Sequence, residues 1–144
     1  MTYPFACTLR STSEYESGGG LLLVTVLLDG MGEFKMVLDT AASLTTLDSN
    51  VLHMANYPIS NVVEKGMVET ANGIVEVDII ETDEISAFGH TVCGMKIQIY
   101  DFLKHGILSD YDGLLGLDFF KNTKFYIDMN NQTIEVCDSP IIYH

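Results

Sequence analysis

A single aspartate stands between two apolar runs in Phe34-Lys35-Met36-Val37-Leu38-Asp39-Thr40-Ala41-Ala42-Ser43-Leu44-Thr45-Thr46-Leu47, and few folds tolerate that placement. An acid is seldom fully buried unless it is paired or hydrogen-bonded. The apolar runs therefore predict two strands, and the small residues between them predict a tight loop that holds the carboxylate at a strand end. Two readings of that loop follow from the residues. In one, Asp39 and Ser43 bond the local backbone and end a strand. In the other, the carboxylate is held for chemistry by rigid backbone on both sides.

The surrounding chain is built for strands. Leu21 to Leu28 is leucine-rich and β-branched and predicts a strand buried on both faces. Asp29-Gly30-Met31-Gly32 supplies turn residues, and Glu33 to Leu38 returns as the second arm of a hairpin that delivers Asp39. Asp48-Ser49-Asn50 opens a short helix over Val51 to Ala55, stopped before Pro58. Val62 to Ile80 carries a second hairpin with Asn72-Gly73 as its turn, because a type I′ turn needs positive φ at both central positions. Its arms alternate Met67, Val68, Ile74, Val75 and Val77 with Glu69, Glu76 and Asp78, so one face is apolar and the other wet. Further strand pairs are expected over 84–100 and, around Asn130-Asn131, over 124–137. Gly113-Leu114-Leu115-Gly116 sets two bulky residues between glycines, which permits close approach of another backbone. Asp118 fits a helix N-cap before Phe119-Phe120-Lys121.

Leu38-Asp39-Thr40-Ala41-Ala42-Ser43 resembles the hydrophobic-Asp-Thr-Gly-Ala-Ser signature of retropepsin-like aspartic proteases. Asp112-Gly113-Leu114-Leu115-Gly116-Leu117-Asp118-Phe119-Phe120 is similar to the second signature of that family, and Glu69-Thr70-Ala71-Asn72-Gly73-Ile74-Val75 stands where the family has its flap hairpin. The order and spacing of the three segments match, over roughly Leu21 to Val136. The resemblance implies an all-β fold, a retropepsin-like closed barrel or sandwich of antiparallel strands, with a flap hairpin and one or two short helices. Residues 1–20 are expected as an N-terminal arm or linker, from their Ser/Thr/Glu stretch and Gly18-Gly19-Gly20, with an added edge strand over Tyr3 to Leu9 left open. Residues 21–144 are expected as the protease domain.

By that resemblance Asp39 is the catalytic residue, and Thr40, Ala41, Ala42 and Ser43 support its loop. Thr70, Ala71, Asn72 and Gly73 form the flap, and Gly113, Leu114, Leu115 and Gly116 pack against the Asp39 loop. Thr40 would interlock with a partner loop, and Ser43 would bond the carboxylate or its neighbouring backbone. Ala41 departs from the family, which usually has glycine there. Alanine adds a methyl and costs roughly 1 kcal/mol or more only if φ is positive.

Peptide hydrolysis by carboxylates requires two acids, one to take a proton from water and one to give a proton to the substrate. This chain has one Asp-Thr-Ala and no internal repeat. The second acid must then be Asp39 of another copy at a two-fold axis. The expected function is a homodimeric aspartic endopeptidase acting on extended peptide or protein substrates. The alternative is a dimerisation or peptide-binding module of the same fold with weak or lost catalysis, and a more remote one is an unrelated small β-barrel that binds a ligand.

Composition sets the remaining bounds. One domain suffices for 144 residues, of which 47% are hydrophobic. A net charge of −13 argues against nucleic acid, whose phosphates need Lys and Arg. No apolar run approaches the roughly 18 residues of a membrane span. Cys7, Cys93 and Cys137 are widely spaced and odd in number, which fits free thiols better than a disulfide framework. His53, His90, His105 and His144 show no close ligand spacing, so no metal and no cofactor is expected. His53 is read as a helix-surface residue and His105 as an exposed loop residue; Val75, Ile107 and Leu114 are pocket-lining candidates by position. The amino terminus lacks a basic start and apolar core of the secretory type. That leaves a cytoplasmic protein by default, or a domain of a longer chain.

Overall fold

The computed structural model describes residues 2–9, 20–59, 62–70 and 73–138, without the side chains of 6–9, 20, 70 and 138. Most of the expected linker, the expected flap residues Ala71 and Asn72, and the stretch after Asp138 lie outside the described residues. The strands are β1 (Thr2–Pro4), β2 (Ala6–Leu9), β3 (Gly20–Leu28), β4 (Gly32–Leu38), β5 (Thr46–Asp48), β6 (Val62–Thr70) and β7 (Gly73–Glu81). They continue as β8 (Glu84–Ala87), β9 (His90–Cys93), β10 (Lys96–Tyr100), β11 (Gly113–Leu115), β12 (Thr123–Asp128) and β13 (Thr133–Asp138). One α-helix, α1 (Ser49–Met54), and 3-10 turns at Leu103–His105 and Leu117–Phe120 complete the described elements. None of these helices is long and apolar enough to cross a membrane.

The all-β architecture agrees with expectation, but closure does not. The larger sheet runs β6-β7-β10-β5-β11-β4-β3-β8-β9, with β2 added on β3, and β1-β13-β12 form a separate sheet. A barrel requires its last strand to bond its first. Here β6 and β9 are edges at opposite ends of the order, so the sheet is open. Nor is it antiparallel throughout, because β11 pairs parallel with β4 and β10 pairs parallel with β5. The possible edge strand over Tyr3 to Leu9 is two strands in different sheets, β1 on β13 and β2 on β3.

The β3–β4 hairpin turns through Asp29 (φ 50°) and Gly30 (φ 66°), with Met31 N–H donating to Leu28 C=O at 2.9 Å. Along β3, Val24, Val26 and Leu28 are buried while Thr25 and Leu27 are exposed. That alternation corrects the expectation of burial on both faces, and it is the pattern of a strand with one face on the core. The core holds Met36, Leu47, Leu52, Ile97, Leu115, Phe119 and Ile134, each at most 2% exposed.

Asp48 caps α1, its Oδ1 accepting from Asn50 N–H at 3.1 Å, so the acid that ends β5 also starts the helix. The same oxygen accepts Phe102 N–H at 3.2 Å and ties the chain after β10 to this corner. In the β6–β7 hairpin Thr70 pairs with Gly73. Gly73 (φ 117°) therefore opens β7 and is not a turn position, which corrects that half of the expected Asn72-Gly73 turn; Asn72 lies outside the described residues.

Candidate active site

Asp39 follows the last residue of β4, where Leu38 is paired with Leu115. Its N–H donates to Leu115 C=O at 3.0 Å, so the backbone is fixed at the point where the strand ends. Asp39 is half-buried, and its Oδ1 accepts Ala41 N–H at 2.9 Å in a bond open to solvent. Ala42 N–H donates to Asp39 C=O at 3.1 Å and closes the turn. Thr40, Ala41 and Ser43 are exposed and Ala42 is half-buried. Ala41 takes a negative φ, so the methyl in place of the family's glycine introduces no backbone strain.

The chain then crosses the end of β11 and returns as β5 on its other side. Gly113-Leu114-Leu115 lies between Met36-Val37-Leu38 and Thr46-Leu47. Close passage explains both glycines. A Cβ on Gly113 would lie 2.2 Å from Thr46 C=O, and one on Gly116 would lie 2.8 Å from Ala42 C=O and 3.0 Å from Leu44 C=O. Leu117 N–H donates to Ala42 C=O at 2.8 Å, and Gly116 N–H to Thr45 Oγ1 at 3.1 Å.

Asp118 completes the fastening. Its Oδ2 accepts Thr45 N–H at 2.8 Å and its Oδ1 accepts Thr45 Oγ1–H at 2.6 Å. Bonds to an ionised acceptor contribute about 1.5–3 kcal/mol each. Asp118 Oδ1 also accepts Phe119 N–H at 2.9 Å, a bond within the Leu117–Phe120 turn, but Gly116 and not Asp118 stands at the cap of that turn, so the expected N-cap position is corrected. Asp112 plays a matching part at the other end of β11. Its Oδ2 accepts Lys35 N–H at 2.7 Å, its N–H donates to Lys35 C=O at 2.7 Å, and its C=O accepts Asp48 N–H at 2.9 Å.

A cleft of about 510 Å³ opens beside the loop. It is lined by Ala41, Ala42, Ser43 and Leu44 of the loop and by Met67, Val68 and Glu69 of β6. Thr46, Gln98, Tyr100 and Leu114, from β5, β10 and β11, complete the lining. Of the positional pocket candidates, Leu114 lines this cleft. Ile107 lines a separate recess beside α1, and Val75 lines neither. Thr46 Oγ1–H donates to Gln98 Oε1 at 3.2 Å. Burial, with Tyr111 and Asp48 nearby, raises the Tyr100 phenol above its ordinary range, so it remains a hydroxyl at neutral and acid pH. His53 is exposed on α1, and His105 Nδ1 lies 2.8 Å from Asp101 C=O; neither lines the cleft. Among the described residues no three His, Cys, Asp or Glu side chains gather to hold a metal.

A family model described as aspartyl protease matches residues 24–119, a span that runs from β3 through the Asp39 loop to the Leu117–Phe120 turn. The chain belongs to this aspartyl protease family. The structure is similar to the crystal structure of a retropepsin-like aspartic protease from Rickettsia conorii, at a TM-score of 0.59 and 18% sequence identity, covering 90% of this chain and 98% of that one. At such identity the likeness is one of fold. No curated protein matches the chain by sequence. Within this aspartyl protease fold, Asp39, Ala41, Ala42, Ser43 and Gly113 to Gly116 come together in one place. Thr70 and Gly73 are the last pair of the β6–β7 hairpin, whose Met67, Val68 and Glu69 line the cleft. The sequence pattern assigned no role to Thr45 or Gln98, placed Asp112 only within the second signature, and set Asp118 at a cap that Gly116 holds. The signal that could have found the Thr45–Asp118 pair is an acid directly after a glycine-bounded strand, facing a run of hydroxyl residues.

Proposed function

We propose that the chain is a homodimeric aspartic endopeptidase in which Asp39 carboxylates from two copies activate water against an extended peptide. The observation that carries this reading is the state of Asp39. The residue is half-buried at a strand end with its carboxylate aligned by Ala41 N–H, on a loop whose outer residues face solvent beside an open cleft. A single copy holds one such acid, and the reaction needs two. Two carboxylates brought a few ångströms apart share a proton, because like charges at that distance cannot both ionise cheaply. One then accepts a proton from water while the other protonates the carbonyl oxygen. The pair titrates as a unit.

The β6–β7 hairpin acts in this reading as a flap over the substrate, whose backbone pairs with extended structure. Ala41 is compatible with activity because its φ is negative. The test is cleavage of a mixed peptide library between pH ~3 and 7 by wild type and Asp39→Asn, with the solution mass of each measured in parallel. Cleavage by a dimeric wild type and none by an equally folded Asp39→Asn is the expected result. Turnover retained in the variant would sink the mechanism, and a folded dimer that binds peptides without turnover would favour a binding module.

A further inference from the structure

We propose that the cleft beside Asp39 selects substrates with a lysine or arginine near the scissile bond, and that Glu69 is the specificity-determining counter-charge. This inference rests on the peptidase reading above. Glu69 is the one charged residue among those that line the 510 Å³ cleft, and no lysine or arginine of the described residues lines it. The acids around it on the same hairpin and its neighbour are already matched. Glu64 holds Lys96 Nζ at 3.3 Å, and Asp78 and Glu76 both face Lys65. Glu69 has no cation within ion-pair reach among the described residues, so its carboxylate is available to a ligand.

The rest of the cleft fits a long cationic side chain. Ala42, Leu44, Met67 and Leu114 provide apolar wall for a methylene stem, as such side chains require when only their head is charged. Tyr100 and Gln98 also line the cleft, and both are neutral. An acidic side chain would meet Glu69 inside a protein of net charge −13, and that field disfavours its approach as well as its binding.

The test uses the 144-residue chain as wild type, Asp39→Asn, Glu69→Gln and Glu69→Lys, against a mixed-sequence peptide library with products sequenced by mass spectrometry. Cuts that vanish in Asp39→Asn are expected to cluster beside Lys or Arg. The ratio of cuts beside cationic residues to cuts beside neutral ones is expected to fall about fivefold in Glu69→Gln, the size of an ion pair in a half-open site. In Glu69→Lys the preference is expected to move toward Asp and Glu. Asp39-dependent cuts without cationic preference, or a preference that both Glu69 variants leave unchanged, overturn the selectivity and leave the peptidase reading standing. If no cut depends on Asp39, the peptidase reading fails. The selectivity is then decided by binding of three fluorescent peptides that differ only in a central Lys, Gln or Glu. Tightest binding of the Lys peptide, lost in Glu69→Gln, upholds it; equal or absent binding overturns it.

Discussion

Asp118 holds Thr45 by both of its carboxylate oxygens, one on the backbone N–H at 2.8 Å and one on the hydroxyl at 2.6 Å, across 73 residues of sequence. Thr45 is buried at 1% exposure, so water cannot replace what Asp118 supplies. Asp118→Ala is expected to destabilise the fold by about 3 kcal/mol or more, since Thr45 N–H, Thr45 Oγ1–H and Phe119 N–H all lose their acceptor, at about 1–3 kcal/mol for each buried donor. Asp118→Asn keeps one acceptor oxygen and should lose about half as much. Urea unfolding of the three proteins measures both, and equal midpoints would show that the clamp contributes nothing.

Gly113→Ala places a methyl 2.2 Å from Thr46 C=O and 3.0 Å from Leu47 Cα, and both obstacles are backbone. Overpacking that can be relieved only by moving a strand should cost about 3 kcal/mol or more. Gly32→Ala is the matched control, because its new methyl would meet nothing nearer than Phe34 ring atoms at 4.0 Å. Thermal unfolding should separate the two variants by roughly 10 °C.

Tyr57 donates its hydroxyl to Asp29 Oδ2 at 2.6 Å, while Asp29 Oδ1 accepts Glu84 N–H at 2.7 Å. Burial, followed by the bond to Asp29, pushes the Tyr57 phenol well above the ordinary tyrosine range. The folded protein therefore keeps a proton that the unfolded chain releases at pH about 10. The resulting stabilisation is complete below that pH and is lost as pH rises toward the folded value. Tyr57→Phe should cost about 1–2 kcal/mol at pH 7 and remove this part of the alkaline decline. Denaturant midpoints from pH 7 to 12 report the slope.

Ala41→Gly restores the residue usual at this place in the family. Because Ala41 is exposed and its φ is negative, the change relieves no strain and only frees the unfolded chain. The expected outcome is a loss of about 0.5–1 kcal/mol in stability, read by urea titration. A gain in stability would contradict the geometry described for the loop.

Much of the arrangement around Asp39 was legible because its determinants are local. The acid after Met36-Val37-Leu38, the small residues after it and the positive-φ turn at Asp29-Gly30 each carry their geometry in a few neighbouring residues. The helix at Ser49 was equally readable from its Asp48 cap. Strand order was not. The parallel placement of Gly113-Leu114-Leu115 on Met36-Val37-Leu38 depends on contacts 77 residues apart, which leave no periodic trace. For the same reason the local bond of Asp118 to Phe119 N–H was within reach of sequence reasoning, and its two bonds to distant Thr45 were not. The hairpin at Thr70 and Gly73 was evident as a hairpin, but its register was misplaced by one residue, since the pairing of its arms and not the Asn-Gly pair alone sets the turn.

The insertion of Gly113-Leu114-Leu115 between its two neighbours also sets an order of events during synthesis. Until that segment leaves the ribosome, β4 and β5 have no partner on the sides that face each other. Thr45 waits 73 residues for Asp118. At ~5–20 residues per second this is a delay of roughly 4–15 s. For that interval the nascent chain presents two apolar strand edges with unsatisfied amides, the state most exposed to mispairing with another chain. The aspartate loop is therefore among the last parts of this protein to take shape, although it lies in the first third of its sequence.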